Sequence, residues 1–205
     1  SLAFLKDKIH TVPDELTRAM IWQSLYNMVK DGKFSPYQFA EIARDGIQKE
    51  TSDSCLDSII TYTSAALSFT PKILRDNYVK PQLFDATLKS LLATDESNSN
   101  RRILLRDNLI SFASHGKELD VDNVKRLISW FDGSDQELAK IELSTSNRWT
   151  IVKKIYRYSK VDDAQKKQHF NKVAETDTSD EMKSAQNVCE GLLASGEERQ
   201  NLWKS

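Results

Sequence analysis

Apolar residues recur three and four positions apart along most of this chain, the period of one helix face rather than of a strand. Over residues 13–30 they are Leu16, Ala19, Met20, Trp22, Leu25, Tyr26, Met28 and Val29. Pro13 suits a first-turn position, Asp14 and Glu15 suit the positive end of a helix, and Asp31-Gly32 supplies a stop. Ser35-Pro36 opens a second helix through Phe39, Ile42 and Ile47; a third starts at Ser52 or Asp53 and runs through Leu56, Ile59, Ile60 and Leu67. Thr70-Pro71 starts a short segment. Pro81, which lacks an N–H, is predicted to begin a separate helix through Leu83, Phe84, Leu88 and Leu91.

The stretch 94–100 is the most loop-like part of the chain, and Ser97 or Ser99 is predicted to cap a helix over 102–114 that ends at His115-Gly116. Asp120 or Asp122 opens the next, which runs to Trp130 and breaks at Asp132-Gly133. Another, over about 146–159, places Trp149, Ile151, Val152, Ile155 and Tyr156 on its apolar side. Further helices begin at Asp162, at Ser179 and after Ser195-Gly196. The pattern predicts an all-α fold of about ten helices joined by short turns, forming one domain over residues 1–205. Neighbouring pairs make units of roughly 35–45 residues, the size of HEAT- or armadillo-like hairpins. Each hairpin buries a face by stacking on the next, so the expected architecture is an α-superhelix of stacked antiparallel helix hairpins.

Composition narrows the functional classes. The chain has 205 residues, with 39% hydrophobic and 29% charged positions but only 6 Gly and 4 Pro, few for a sheet protein rich in tight turns. Basic and acidic residues number 29 and 30, leaving a net charge of -1, which disfavours a nucleic-acid partner bound through phosphate neutralisation. Mean hydropathy is -0.55, and no apolar run is long enough to span a bilayer. Cys55 and Cys189 lie far apart without a CxxC partner and sit among helical core positions, where a small buried hydrophobe is the ordinary role. With no Asn-x-Ser/Thr acceptor in the chain, they favour a cytoplasmic location. Ser1 is expected to be an internal position of a longer parent.

Residues able to do chemistry are not arranged for it. His10, His115 and His169 form no H-E-x-x-H, and no two share a helix turn, so no zinc ligand pair is visible. There is no G-x-S-x-G, no Walker A and no G-x-G-x-x-G. Basic pairs such as Arg101-Arg102 and Lys166-Lys167 alternate with acids, as on a solvated helix face. The four tryptophans, Trp22, Trp130, Trp149 and Trp203, sit at helical core spacing and suit packing anchors. By its own residues the chain is not expected to be an enzyme.

Two blocks carry a family likeness. Asp14-Glu15-Leu16-Thr17-Arg18-Ala19-Met20-Ile21-Trp22, continuing to Met28, Asp31 and Gly32, resembles the D-x-L-x-R-A-x-x-W … M-x-x-D-G segment in the C-terminal helical domain of aminopeptidase N-type zinc peptidases. Glu50-Thr51 is similar to a glutamate that follows in that pattern. Asn147-Arg148-Trp149, with Asp177-Thr178 downstream and Arg199 four residues before Trp203, resembles the R-W … D-x-T … K-x-x-x-W tail of the bacterial-type members. Arg199 stands where the family usually has Lys, and the glycine expected after the D-x-T element is not in place.

The resemblance implies a domain that caps a catalytic module in cis and restricts or orients its peptide substrate. It places the zinc and the substrate-anchoring G-x-M-E-N loop in that module, with no cofactor in these residues. Arg18 and Arg148 are the candidates for peptide contact, because a planar guanidinium matches a carboxylate. Asp14, Trp22, Asp31, Gly32, Trp149, Asp177, Arg199 and Trp203 are the motif positions assigned to structure. Arg18 also lies four residues after Asp14, the spacing of an ion pair on one helix face, and Trp22 lies four beyond Arg18. A free-standing HEAT-like scaffold for a protein partner is the rival reading; an H-E-x-x-H in the same reading frame upstream would decide against it.

Overall fold

The computed structural model describes residues 5, 8–114 and 122–194. Among them there is no β-strand, and nine α-helices of nine residues or more follow one another: α1 (Glu15–Lys30), α2 (Pro36–Lys49), α3 (Asp53–Ala66), α4 (Lys80–Ala93), α5 (Ser99–Phe112), α6 (Asn123–Phe131), α7 (Thr145–Arg157), α8 (Asp163–Ala174) and α9 (Asp180–Leu193). The fold is all-α. The helix expected after Ser195-Gly196 and the stop at His115-Gly116 lie outside the described residues. No helix among the described residues is long and apolar enough to cross a membrane.

Capping side chains set most helix starts. Asp14, Ser35, Ser52, Asn98, Ser144, Asp162 and Ser179 each accept a backbone N–H of the first turn, satisfying a donor that has no partner inside the helix. Asn98, rather than Ser97 or Ser99, caps α5. α7 begins at Thr145, one residue before the expected start, because Ser144 and Asn147 close a reciprocal capping box. Asp31-Gly32 and Asp132-Gly133 end α1 and α6 in the same way. Each glycine has positive φ, +70° and +79°. The amide after it bonds back to the helix, Lys33 N to Met28 O at 2.8 Å and Ser134 N to Ser129 O at 2.8 Å.

Pro81 does not begin a separate helix. A one-turn helix at Lys72–Leu74, a π-turn at Arg75–Val79 and α4 follow without a break, with Pro81 in the first turn of α4. Because the chain is already helical there, Pro81 leaves a carbonyl of the preceding turn without its N–H, and the irregular π-turn lies where that bond is missing.

Contacts divide the chain into two compact units, residues 1–123 and 124–205. In the first, α1, α3 and α5 form one row and α2 and α4 another, with α3 also packed on α2 and α4 on α5. This is the stacked arrangement expected of hairpins that each bury one face. Trp22, Leu25, Phe39, Ile47, Leu56, Ile59, Phe84, Leu91 and Leu105 fill its core. In the second unit α7 is the central element, flanked by α8 and α9, and Trp149, Ile151, Val152 and Ile155 are buried along it.

Polar ties join the apolar layers. Arg44 of α2 donates to Gln82 of α4 at 3.0 Å, and Ser90 of α4 donates to the Ile47 carbonyl of α2 at 3.1 Å. In the second unit Trp130 Nε1 donates to the Ile141 carbonyl at 3.0 Å, holding the connection after α6 against that helix. Arg126 grips the same connection through Asp135, at 2.9 Å, and through Glu137.

One glycine lets α1 and α2 approach. A Cβ on Gly46 would lie 2.7 Å from Cζ2 of Trp22, a rigid ring with nowhere to turn in a filled core. Gly46→Ala is therefore expected to destabilise the chain by about 1–3 kcal/mol in urea denaturation. Gly191→Ala, in α9 with open space around its Cβ position, serves as the control and is expected to be neutral or stabilising by up to about 1 kcal/mol.

Candidate functional site

The family-like residues of the first unit gather around one buried ion pair. Arg18, on the inner face of α1, donates from Nε to Glu50 Oε2 at 2.9 Å and from Nη2 to Glu50 Oε1 at 2.7 Å. Its Nη1 donates to the carbonyls of Val12 and Pro13 at 2.7 and 3.1 Å. The two side chains are 7% and 2% exposed, so every nitrogen of the guanidinium is committed within the fold.

Arg18 thus does not turn to Asp14, as the four-residue spacing suggested. Asp14 caps α1 instead, accepting from Thr17 N at 2.7 Å and from the Thr17 hydroxyl, which holds its carboxyl below the usual range. A carboxylate on an exposed first turn has water and free N–H groups to meet, whereas a buried guanidinium needs a full set of acceptors. Four of the five guanidinium N–H groups of Arg18 are engaged in this way, and the fork that would match a carboxylate is closed on Glu50.

Glu50 is the other half of the arrangement. It ends α2, and its Oε1 also accepts from the backbone N–H groups of Thr51, at 3.0 Å, and Ser52, at 2.8 Å, which lead into α3. Burial alone would raise its carboxyl; the hydrogen bonds from Arg18 and Ser52 outweigh that and hold it below the ordinary value. Arg101 of α5 completes the junction by donating to the Glu50 carbonyl and, at 2.9 Å, to Asp53. One cluster therefore binds α1, the α2–α3 turn and α5. Nothing in the spacing around Arg101 distinguished it from a solvated basic pair.

The second motif block also closes on itself. Trp149 Nε1 donates to Asp177 Oδ2 at 2.6 Å, across 28 residues. Asp177 accepts as well from Ser179 N at 3.0 Å and the Ser179 hydroxyl at 3.1 Å, beside the cap of α9. The Trp149 hydrogen bond is the main reason that the Asp177 carboxyl lies below its usual range. Trp149 rests against Phe170 of α8, ring centroids 5.1 Å apart, so this pair locks α8 and α9 onto α7. Arg199 and Trp203, the last two motif positions, lie outside the described residues.

Arg148 differs from Arg18. It is half-buried beside Trp149, and only its Nε has a weak acceptor, the Leu143 carbonyl at 3.4 Å. Its guanidinium carbon stands 5.9 Å from the Phe131 ring centre, and its terminal nitrogens meet no acceptor among the described residues. Of the two candidates, Arg148 keeps an open fork.

Among the described residues no group of three or more His, Cys, Asp or Glu side chains is placed to hold a metal ion. Cys55 and Cys189 are free and buried. Burial, then the neighbouring Glu50, pushes the Cys55 thiol up to about 12, and burial pushes that of Cys189 up to about 11. Neither forms the thiolate that nucleophilic or redox chemistry needs.

Glu50→Gln is expected to destabilise the chain by about 3–5 kcal/mol, since it leaves the Arg18 charge buried without its counter-ion. The lowered Glu50 carboxyl makes its contribution present above the unfolded carboxylate range and lost as pH falls through the folded value. Urea midpoints should accordingly drop below about pH 5, with a smaller drop in the Gln variant. In the second unit, Trp149→Phe keeps an aromatic ring but deletes the donor together with the five-membered ring that carries it. It is expected to speed amide exchange at the start of α9, where Asp177 and Ser179 are joined, relative to α2.

No curated protein matches the chain. A family model, the ERAP1-like C-terminal domain, matches residues 1–204, and so includes both motif blocks and every helix described above. On that match, the chain belongs to the ERAP1-like C-terminal domain family, the C-terminal domain of aminopeptidase N-type enzymes.

Proposed function

We propose that this chain is the non-catalytic C-terminal domain of a zinc-dependent aminopeptidase, and that it caps the chamber where the peptide's first residue is removed. The family match over residues 1–204 carries this reading. What a helical cap contributes is exclusion and orientation. It limits the chamber to short or unfolded peptides, and a fixed contact with the far part of the substrate lowers the entropic cost of presenting its amino end. The zinc supplies an activated water in the catalytic module of the longer polypeptide, and no side chain of this chain is assigned to it.

Such a cap needs rigidity more than reactivity. Both motif blocks support the reading in that respect, because they join helices: Arg18 and Glu50 in one unit, Trp149 and Asp177 in the other. Arg148 is the side chain assigned to the substrate, because its terminal nitrogens are open and a planar fork suits a peptide carboxylate.

The test uses the full-length enzyme. Arg148→Ala is expected to raise KM by roughly 10- to 100-fold for peptides with a free carboxyl terminus, the size of a lost charge-assisted hydrogen bond. It should leave aminoacyl-anilide hydrolysis and amidated peptides unchanged. An equal effect on anilide and peptide would remove Arg148 from the substrate. Zinc-dependent anilide cleavage by the purified 205-residue chain would remove the non-catalytic reading altogether.

A further inference from the structure

A histidine that plays no part in the reading above sits between two helices with both ring nitrogens facing oxygen. His169, on α8, has Nδ1 2.7 Å from the carbonyl of Gln165, one turn earlier, and Nε2 3.3 Å from Asp132 Oδ2, at the end of α6. Its side chain is 13% exposed, and its ring lies 5.6 Å from that of Phe131, the last residue of α6. A carbonyl oxygen only accepts, so a 2.7 Å contact requires the proton to be on Nδ1. The neutral ring then turns a lone pair on Nε2 toward a carboxylate, which is repulsive. Only the imidazolium donates to both oxygens.

We propose that His169 is a proton-operated clasp between α8 and the Asp132-Gly133 end of α6, closed when the imidazole is charged and released when it is neutral. The surroundings determine how it works. From the α6 end, the facing groups are the Asp132 carboxylate and the Phe131 ring. From α8 itself, Lys172 holds the other oxygen of Asp132 at 3.2 Å and lies 5.0 Å from the centre of the Phe131 ring. From α7, Arg148 lies against the same ring. Lys172 holds Asp132 in place in either state, so the imidazole proton decides whether the second bond exists. That proton also adds a positive charge to a group of two basic side chains and one carboxylate around Phe131.

The clasp's signature follows from its sign: protection of the α8 amides is greater with the imidazole charged and is lost with the imidazole neutral. The experiment is amide exchange on the 205-residue chain, corrected for intrinsic rates, at about pH 5.5 and about pH 8, with nitrogen NMR of the imidazole in the same samples. The α8 amides should open roughly two- to fivefold more often at the higher pH, the range of one partly exposed ion pair. His169→Gln and Asp132→Asn should abolish that difference, while Lys172→Met should preserve it. The neutral ring should carry its proton on Nδ1. A neutral ring protonated on Nε2, α8 protection that ignores pH, or an undiminished pH effect in the Gln variant would each overturn the proposal. The nitrogen spectrum of the unaltered chain decides the matter even where a variant folds poorly.

Discussion

A buried guanidinium admits few solutions. Removing Arg18 from water is costly, and the loss is offset only if a counter-ion and a full set of acceptors await it. Glu50 and the carbonyls of Val12 and Pro13 take four of its five N–H groups, with at least one bond at every nitrogen. Because Glu50 also takes the N–H groups that open α3, and Arg101 reaches its carbonyl, the acceptors exist together only when α1, the α2–α3 turn and α5 are in register. Apolar packing would tolerate several offsets between smooth helix faces. This cluster tolerates one. Gly46 adds a steric condition on the same contact, since Trp22 seats against α2 only where no Cβ intervenes.

The second unit reaches the same end with less charge. Trp149 and Asp177 join α7 to the start of α9, and Phe170 packs between them and Tyr156. Beside it, Phe131 carries three polar neighbours, Arg148, His169 and Lys172, that are not needed to fill a core. The two units therefore differ in how they use their motif regions: the first closes the Arg18–Glu50 pair inward, and the second keeps an open arginine and the His169–Asp132 contact beside Phe131.

Much of this was legible along the chain. The helix starts at Asp14, Ser35 and Asp162 and the Asp-Gly stops follow from local chemistry, namely a short polar cap and a residue tolerant of positive φ. What eluded sequence reasoning is non-local. Arg18 has an acid four residues away and another 32 residues away, and burial, not spacing, selects the distant one. Arg101 looks like half of a solvated basic pair until α5 packs beside the α2–α3 turn. His169 and Asp132 are 37 residues apart and match no motif. The π-turn before Pro81 was hidden too, because a proline reads as a start wherever the preceding turn is irregular.

If this ion pair sets the register of the first unit, Arg18 and Glu50 must act as one element. The most direct test is a double-mutant cycle in urea, comparing Arg18→Met, Glu50→Gln and both together. The account predicts a coupling of about 1–3 kcal/mol, with the double variant much less destabilised than the sum of the singles. Additivity within about 0.5 kcal/mol would contradict it and leave the register to apolar packing alone.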